Sequence, residues 1–194
     1  AAGFDPIYFP GPRLSAADLD AVSTTRPIFV FHASGHVATV NTAMLEQSGI
    51  TRETEVEGVV RDSDGNPNGE LQELPAISLA TSAVSQIFAA MTSEDTIWNF
   101  GAFARNAGVT AVSDLSGPML IDPGSLATWQ RIVNDPAFPA RVLVYNTAAP
   151  PGSSSDWGAS ADAVKDLQRN ASSDKLRFPG VKFVIDGSIQ GWTA

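Results

Sequence analysis

The chain has 194 residues, 43% of them hydrophobic, with mean hydropathy +0.01, enough for one sizeable core plus a smaller lobe. Twelve basic against twenty-one acidic side chains give a formal charge of −9, with no basic cluster to grip phosphates or an anionic membrane, so nucleic acid and membrane surfaces are not expected partners. With no cysteine, disulfides, a thiol nucleophile and cysteine metal ligands are excluded; no apolar run approaches a membrane span, no signal peptide is visible, and the composition is compatible with a cytoplasmic protein.

Residues 1–26 read as a connecting segment broken by Pro6, Pro10, Gly11 and Pro12, with Ser15 capping a short helix through Ala16–Val22. Ile28–Phe31 is an expected strand that leads into His32-Ala33-Ser34-Gly35-His36, and a helix is expected from Val37 to Ser48, ended by Gly49. Val56–Arg61 and Glu70–Leu71 flank the turn formers Asp62–Gly69 and predict a hairpin. From Glu70 to Met91 apolar residues recur at helical spacing, with Pro75 bending or restarting the helix.

From Thr92 onward the pattern becomes regular. Helices are expected from a Thr92 or Ser93 cap to Ala107, from Ser125 to Asn134 and from Ala159 to Asn170. Strands are expected at Val109–Val112, Arg141–Tyr145 and Val181–Ile185. Three helix-then-strand units with short apolar strands predict an α/β fold whose strands are parallel and covered on both faces. Ligands in such folds bind at the carboxyl ends of strands, where this sequence carries Asp114, Asn146 and Asp186. Each, taken singly, can equally cap a helix or set a turn.

Five other residues invite chemistry. His32 and His36 are the only histidines, but a strand-end His32 and an intervening Ala-Ser-Gly give neither a zincin motif nor enough ligands for an autonomous zinc site. His36 beside Gly35 is a candidate to face substrate, against the simpler reading of a structural histidine. Glu70 and Glu73 read as an i, i+3 pair at a helix start, suited to the helix dipole or to acid–base work. Lys182 heads an apolar, β-branched run, where the simple reading is an edge lysine whose stem lies along apolar surface. Neither a nucleophile elbow nor a phosphate loop is present.

Four ordered motifs go further. They are Arg26-Pro27 and its strand with Gly35-His36, Asn41, Leu45 and Gly49-Ile50; Arg61-Asp62 with Gly65, Pro67, Gly69, Leu71 and Glu73; Gly108-Val109-Thr110 with Asp114; and Val181-Lys182 with Asp186-Gly187-Ser188-Ile189, Gly191 and Thr193-Ala194. Together they resemble the amidohydrolase superfamily, in the branch of N-substituted formamide deformylases. The resemblance implies a metal-dependent hydrolase that cleaves an amide-type C–N bond of a small molecule with metal-activated water. It implies a TIM barrel, of which residues 92–194 would form about three parallel βα units, with residues 1–91 an inserted α/β lobe containing the hairpin. It also implies divalent metal, zinc being the first candidate, with Lys182 at the position of a lysine that bridges two ions after carboxylation. His36, Asp114, Asn146 and Asp186 become substrate-pocket candidates. Asn68 stands where threonine is usual, no His-x-His pair occurs, and no further barrel strands follow Ala194. The expectation is therefore a middle fragment, inactive and without bound metal in isolation, with open sheet edges that promote self-association. A non-enzymatic binding or assembly module is the alternative.

Overall fold

The structure is a computed structural model that describes residues 1–9, 11–115, 123–147, 157–183, 187–189, 191 and 193. It contains two compact units, Ala1–Gln86 with Asp186–Ala194, and Ile87–Ile185. Among the described residues no helix is long and apolar enough to cross a membrane.

The first unit is built on a five-stranded sheet. Its strands are β1 (Ala2–Phe4), β2 (Phe29–His32), β3 (Val37–Val40), β4 (Val59–Arg61) and β5 (Pro67–Gln72), in the order β1-β2-β3-β5-β4. β1 runs parallel to β2 and the other pairs are antiparallel. Part of the expected connecting segment is thus a strand, because the backbone of residues 1–4 completes the open edge of β2.

The expected helix over Val37–Ser48 is corrected to a strand followed by a short helix, α2 (Thr42–Gln47). Val37, Ala38, Thr39 and Val40 are all completely buried, as suits a mostly β-branched run in the middle of a sheet. Asn41 starts the helix by accepting from the Met44 N–H, and Gly49 ends it at φ 64°. The hairpin is present as β4 and β5, but β5 continues to Gln72 before α3 (Glu73–Ile77) and α4 (Thr81–Met91) begin. Glu70 and Glu73 are therefore not a pair on one helix, since Glu70 lies inside β5. Gly69 is irreplaceable within that strand. Its φ is +95°, and a Cβ there would lie 2.4 Å from the Val40 carbonyl oxygen and 2.7 Å from the Ala16 Cβ of α1 (Ala16–Asp20).

In the second unit three parallel strands, β6 (Ala111–Asp114), β7 (Arg141–Thr147) and β8 (Leu176–Lys182), lie in the order β6-β7-β8. Helices α5 (Glu94–Asn106), α6 (Pro123–Val133) and α7 (Trp157–Asn170) precede them in turn. Ser93 caps α5 through the Thr96 N–H, and Gly108 leaves it at φ 69°. Ile97, Ala104, Ile132, Val133, Phe138, Val142, Val144, Leu176 and Phe178 form one buried cluster between the helices and one face of the sheet. The other face is not closed to the same degree: along β7, buried Val142, Val144 and Asn146 alternate with the less buried Leu143, Tyr145 and Thr147. The expectation of strands covered on both faces is thus met on one face only among the described residues.

β8 also differs from its expected span, starting at Leu176 rather than Val181 and placing Lys182 at its end rather than its head. Its register on β7 shifts. Leu143 pairs with Arg177, whereas Tyr145 pairs with Gly180 and Thr147 with Lys182, so β8 takes one residue more than β7 over that stretch. The irregularity falls at Phe178-Pro179, opposite Val144, where the missing N–H of proline suits a bulge.

Candidate functional site

The bulge decides which way Lys182 faces. Leu176 and Phe178 belong to the helix-side core, and in an unbroken strand Lys182 would share their face. The extra residue reverses the alternation, so Lys182 lies in register with Thr147 on the face of Leu143 and Tyr145. It is partly buried there, at the carboxyl end of the strand. Phe183 follows it and packs on Trp157 with ring centroids 5.1 Å apart, both rings about half exposed.

Asp114 and Asn146 stand at the ends of their strands but belong to the other face. Asp114 pairs with Val144 and follows the parity of Val112, which packs against the helix-side core. Asn146 shares the parity of Val142 and Val144, is 4% exposed, and has a buried Oδ1 with no hydrogen-bond partner among the described residues. The strand ends bring Lys182, Asp114 and Asn146 onto neighbouring strands, while the pleat separates the lysine from the other two. Asp186 lies outside the described residues, as do residues 148–156 of the loop after β7.

The first unit holds a second polar group of residues. Glu70, 2% exposed, receives Arg13 at both carboxylate oxygens, with Nε and Nη2 each 2.6 Å away, and Gln72 Nε2 donates to its Oε1 at 2.6 Å. Arg13 Nη1 also donates to the Gly191 carbonyl at 2.9 Å, tying the terminal turn to the sheet of this unit. That turn is closed by Ser188 and Thr193, whose side chains bond the backbone N–H groups of Gly191 and Ser188. His36 sits in the turn between β2 and β3, and its Nδ1 lies 2.8 Å from Glu73 Oε2. Sequence reasoning linked neither Arg13 to Glu70 nor His36 to Glu73. The recurrence of His36 and Glu73 in consecutive motifs was the available signal for the second pair; Arg13 carried none.

The sequence profile of the amidohydrolase family matches residues 1–194. The chain belongs to the amidohydrolase family. It is 27% identical over 192 residues to the protein LONG AFTER FAR-RED 3 of Arabidopsis thaliana, covering 96% of this chain and 32% of that one. Its fold resembles crystal structures of uncharacterized metal-dependent hydrolases from Pyrococcus horikoshii OT3 and Pyrococcus furiosus, each with TM-score 0.51 and 18% identity. These cover 100% and 98% of this chain and 35% and 36% of theirs. The amidohydrolase chain therefore spans about a third of the length of the relatives it matches.

Tested against a metal, the donors of this amidohydrolase chain do not fit. Among the described residues no three His, Asp or Glu side chains stand together where they could hold an ion, and Lys182 would contribute a single ligand even as a carbamate. No chemical step on a metal is derived from them.

His32, the other histidine, is structural. It is 5% exposed, its Nε2 meets Thr39 Oγ1 at 2.9 Å, Phe4 packs edge-on to its ring, and its buried Nδ1 has no partner among the described residues. Burial pushes its pKa below the ordinary 6.5, with the Glu70 carboxylate opposing and Arg13 reinforcing the shift. The neutral ring is thus the native form, and the unfolded chain binds a proton below about pH 6.5 that the native chain refuses. Stability is complete above that pH and falls on acidification toward the lowered native value. Urea midpoints at pH 7.5 and pH 5.5 are expected to show this loss in the parent chain and a flatter dependence in His32→Gln. Equal slopes in both would show that His32 contributes nothing to it.

Proposed function

We propose that this chain is the middle part of a metal-dependent amidohydrolase resembling N-substituted formamide deformylases. The whole enzyme cleaves an amide-type C–N bond of a small molecule by attack of a metal-activated water. Residues 92–194 are about three βα units of its TIM barrel, and residues 1–91 are a lobe inserted near the barrel entrance. The observation that carries the reading is the bulge at Phe178-Pro179, which sets Lys182 at the carboxyl end of the third parallel strand, on the face away from the helices. In a barrel of parallel strands that face is the interior and that end holds the chemistry. A lysine there is accounted for by carboxylation to an anionic metal ligand, with zinc the first candidate, better than by an exposed edge. His36, Asp114, Asn146 and Asp186 are the substrate-pocket candidates, and Lys182 faces away from Asp114 and Asn146 by strand parity.

The test is a comparison of two polypeptides. In the enzyme at the length of its relatives, labelling with 13C-bicarbonate is expected to give a carbamate carbon resonance. Lys182→Ala is expected to remove that resonance together with bound divalent metal and hydrolysis of N-formyl amines. The 194-residue chain alone is expected to hydrolyse no amide and to bind no stoichiometric zinc. A metal-loaded carbamate on the short chain, or full activity of Lys182→Ala in the long one, sinks the assignment.

A non-enzymatic binding or assembly module is the second reading, favoured by the incomplete donor set of the described residues. It requires ligand binding without hydrolysis in the full-length protein. Either reading leaves β6 and β8 as edges of the three-stranded sheet, and we propose that the isolated chain self-associates through them. Light scattering that returns a strict monomer at all concentrations rejects that.

A further inference from the structure

Val37 pairs with Gln72 at the end of the β3–β5 ladder, so His36 and Glu73 are the next residues out. They join twice. The Glu73 N–H donates to the His36 carbonyl at 2.7 Å, and the two side chains meet at 2.8 Å between Nδ1 and Oε2. Glu73 has a φ of +62° and is the one non-glycine residue with positive φ among the described residues. The left-handed region penalises any residue with a Cβ, and a long acidic side chain has no local hydrogen bond of the Asn or Asp kind to offset it. Its Oε1 is in addition buried without a hydrogen-bond partner among the described residues. Strain and an unsatisfied carboxylate oxygen in one residue argue that something other than stability keeps a glutamate there.

What the pair does follows from imidazole chemistry. A carboxylate accepts only, so Glu73 Oε2 requires the proton on Nδ1 and leaves the lone pair of a neutral ring on Nε2. The His36 side chain is 27% exposed, and no described residue hydrogen-bonds Nε2. Gly35, at φ +76°, has no atom within 4 Å of where a Cβ would stand, so the backbone beside His36 is uncrowded. The result is an oriented acceptor on the surface of the first unit, with a negative carboxylate behind it. Such an acceptor suits a polarised N–H and repels a carboxylate or phosphate.

We propose that His36 is a recognition residue for the N–H of a secondary amide, accepting it at Nε2, and that Glu73 is the positioning residue that fixes the ring's tautomer. This rests on the reading of an amide-type substrate and names the atom that recognises it. Hydrolysis is not involved, so the proposal fails or stands separately from the assignment of Lys182.

The experiment is a long-range 1H–15N correlation on the 15N-labelled chain, whose two histidines are told apart by His32→Gln. The free chain is expected to show His36 protonated at Nδ1 and bare at Nε2. N-methylacetamide is expected to shift the His36 Nε2 resonance upfield with saturation, whereas N,N-dimethylacetamide, which lacks the N–H, leaves it in place. Glu73→Gly suits the left-handed backbone and removes the side chain that carries the carboxylate. In it the tautomers are expected to mix and N-methylacetamide to bind about fivefold more weakly, the equivalent of one lost hydrogen bond. Protonation at Nε2 in the free chain, equal shifts with the two amides, or unchanged binding in Glu73→Gly overturns the proposal. His36→Gln, scored on its backbone amides, separates binding at this ring from binding elsewhere, because shifts that persist in it also overturn the assignment.

Discussion

Replacing Asn41 with alanine is expected to destabilise the first unit by about 3–5 kcal/mol, since it breaks a set of hydrogen bonds that nothing else can make. Asn41 is completely buried. Its Oδ1 accepts from the Ile28 N–H at 2.8 Å and the Met44 N–H at 3.1 Å, and its Nδ2 donates to the Ser23 and Arg26 carbonyls at 2.7 and 2.9 Å. One amide thus holds the entry to β2, the exit of β3 and the start of α2. Alanine removes all four bonds and leaves the Met44 N–H only its bond to the backbone carbonyl of residue 41, at roughly 1 kcal/mol for each lost bond. For a unit of this size the thermal transition is expected to drop by at least about 12 °C. A shift below about 3 °C would show that water replaces the amide and that the network is not needed.

The second large effect lies in the other unit. Phe138→Ala is expected to cost about 3–5 kcal/mol, the range for removing a buried aromatic side chain without collapse of the site. Phe138 is 1% exposed and packs its ring at 5.8 Å from that of Trp98. Helix α5 approaches it so closely that a Cβ on Gly101 would lie 2.7 Å from its ring. Lys175 bonds the Phe138 carbonyl at 2.6 Å and holds its ammonium 5.9 Å from the ring centre, so the backbone around the cavity is fastened and cannot close over it. Chemical denaturation followed by tryptophan fluorescence measures the loss. Phe138→Leu is expected to recover more than half of it, and equal losses for Leu and Ala would point to the ring's edge contacts rather than to its volume.

Much of the second unit is legible without coordinates, for local reasons. Ser93 and Gly108 bracket α5 by chemistry that acts within one turn, and the apolar spacing of α5, α6 and α7 reports the single face each one buries. Strand limits were shifted, because β6 and β8 are bounded by pairing to β7 and not by their own composition. In the first unit the run Val37–Val40 shows the same dependence. Followed by Asn-Thr-Ala-Met-Leu it has helical spacing, and only its place between β2 and β5 makes it a strand.

Residue types, motif order and membership of the amidohydrolase family were determined by the sequence alone, since those depend on which side chains occur and in what order. The tertiary structure decided where they face. Lys182 turns away from the core because a bulge at Phe178-Pro179 adds one residue to a two-residue repeat, and no composition reveals a pairing register. Glu70 and Glu73, three apart in the chain, part company because β5 ends between them: one enters an ion pair with Arg13, the other meets His36 Nδ1. Both outcomes are set by contacts between residues distant in sequence, which local propensity does not encode.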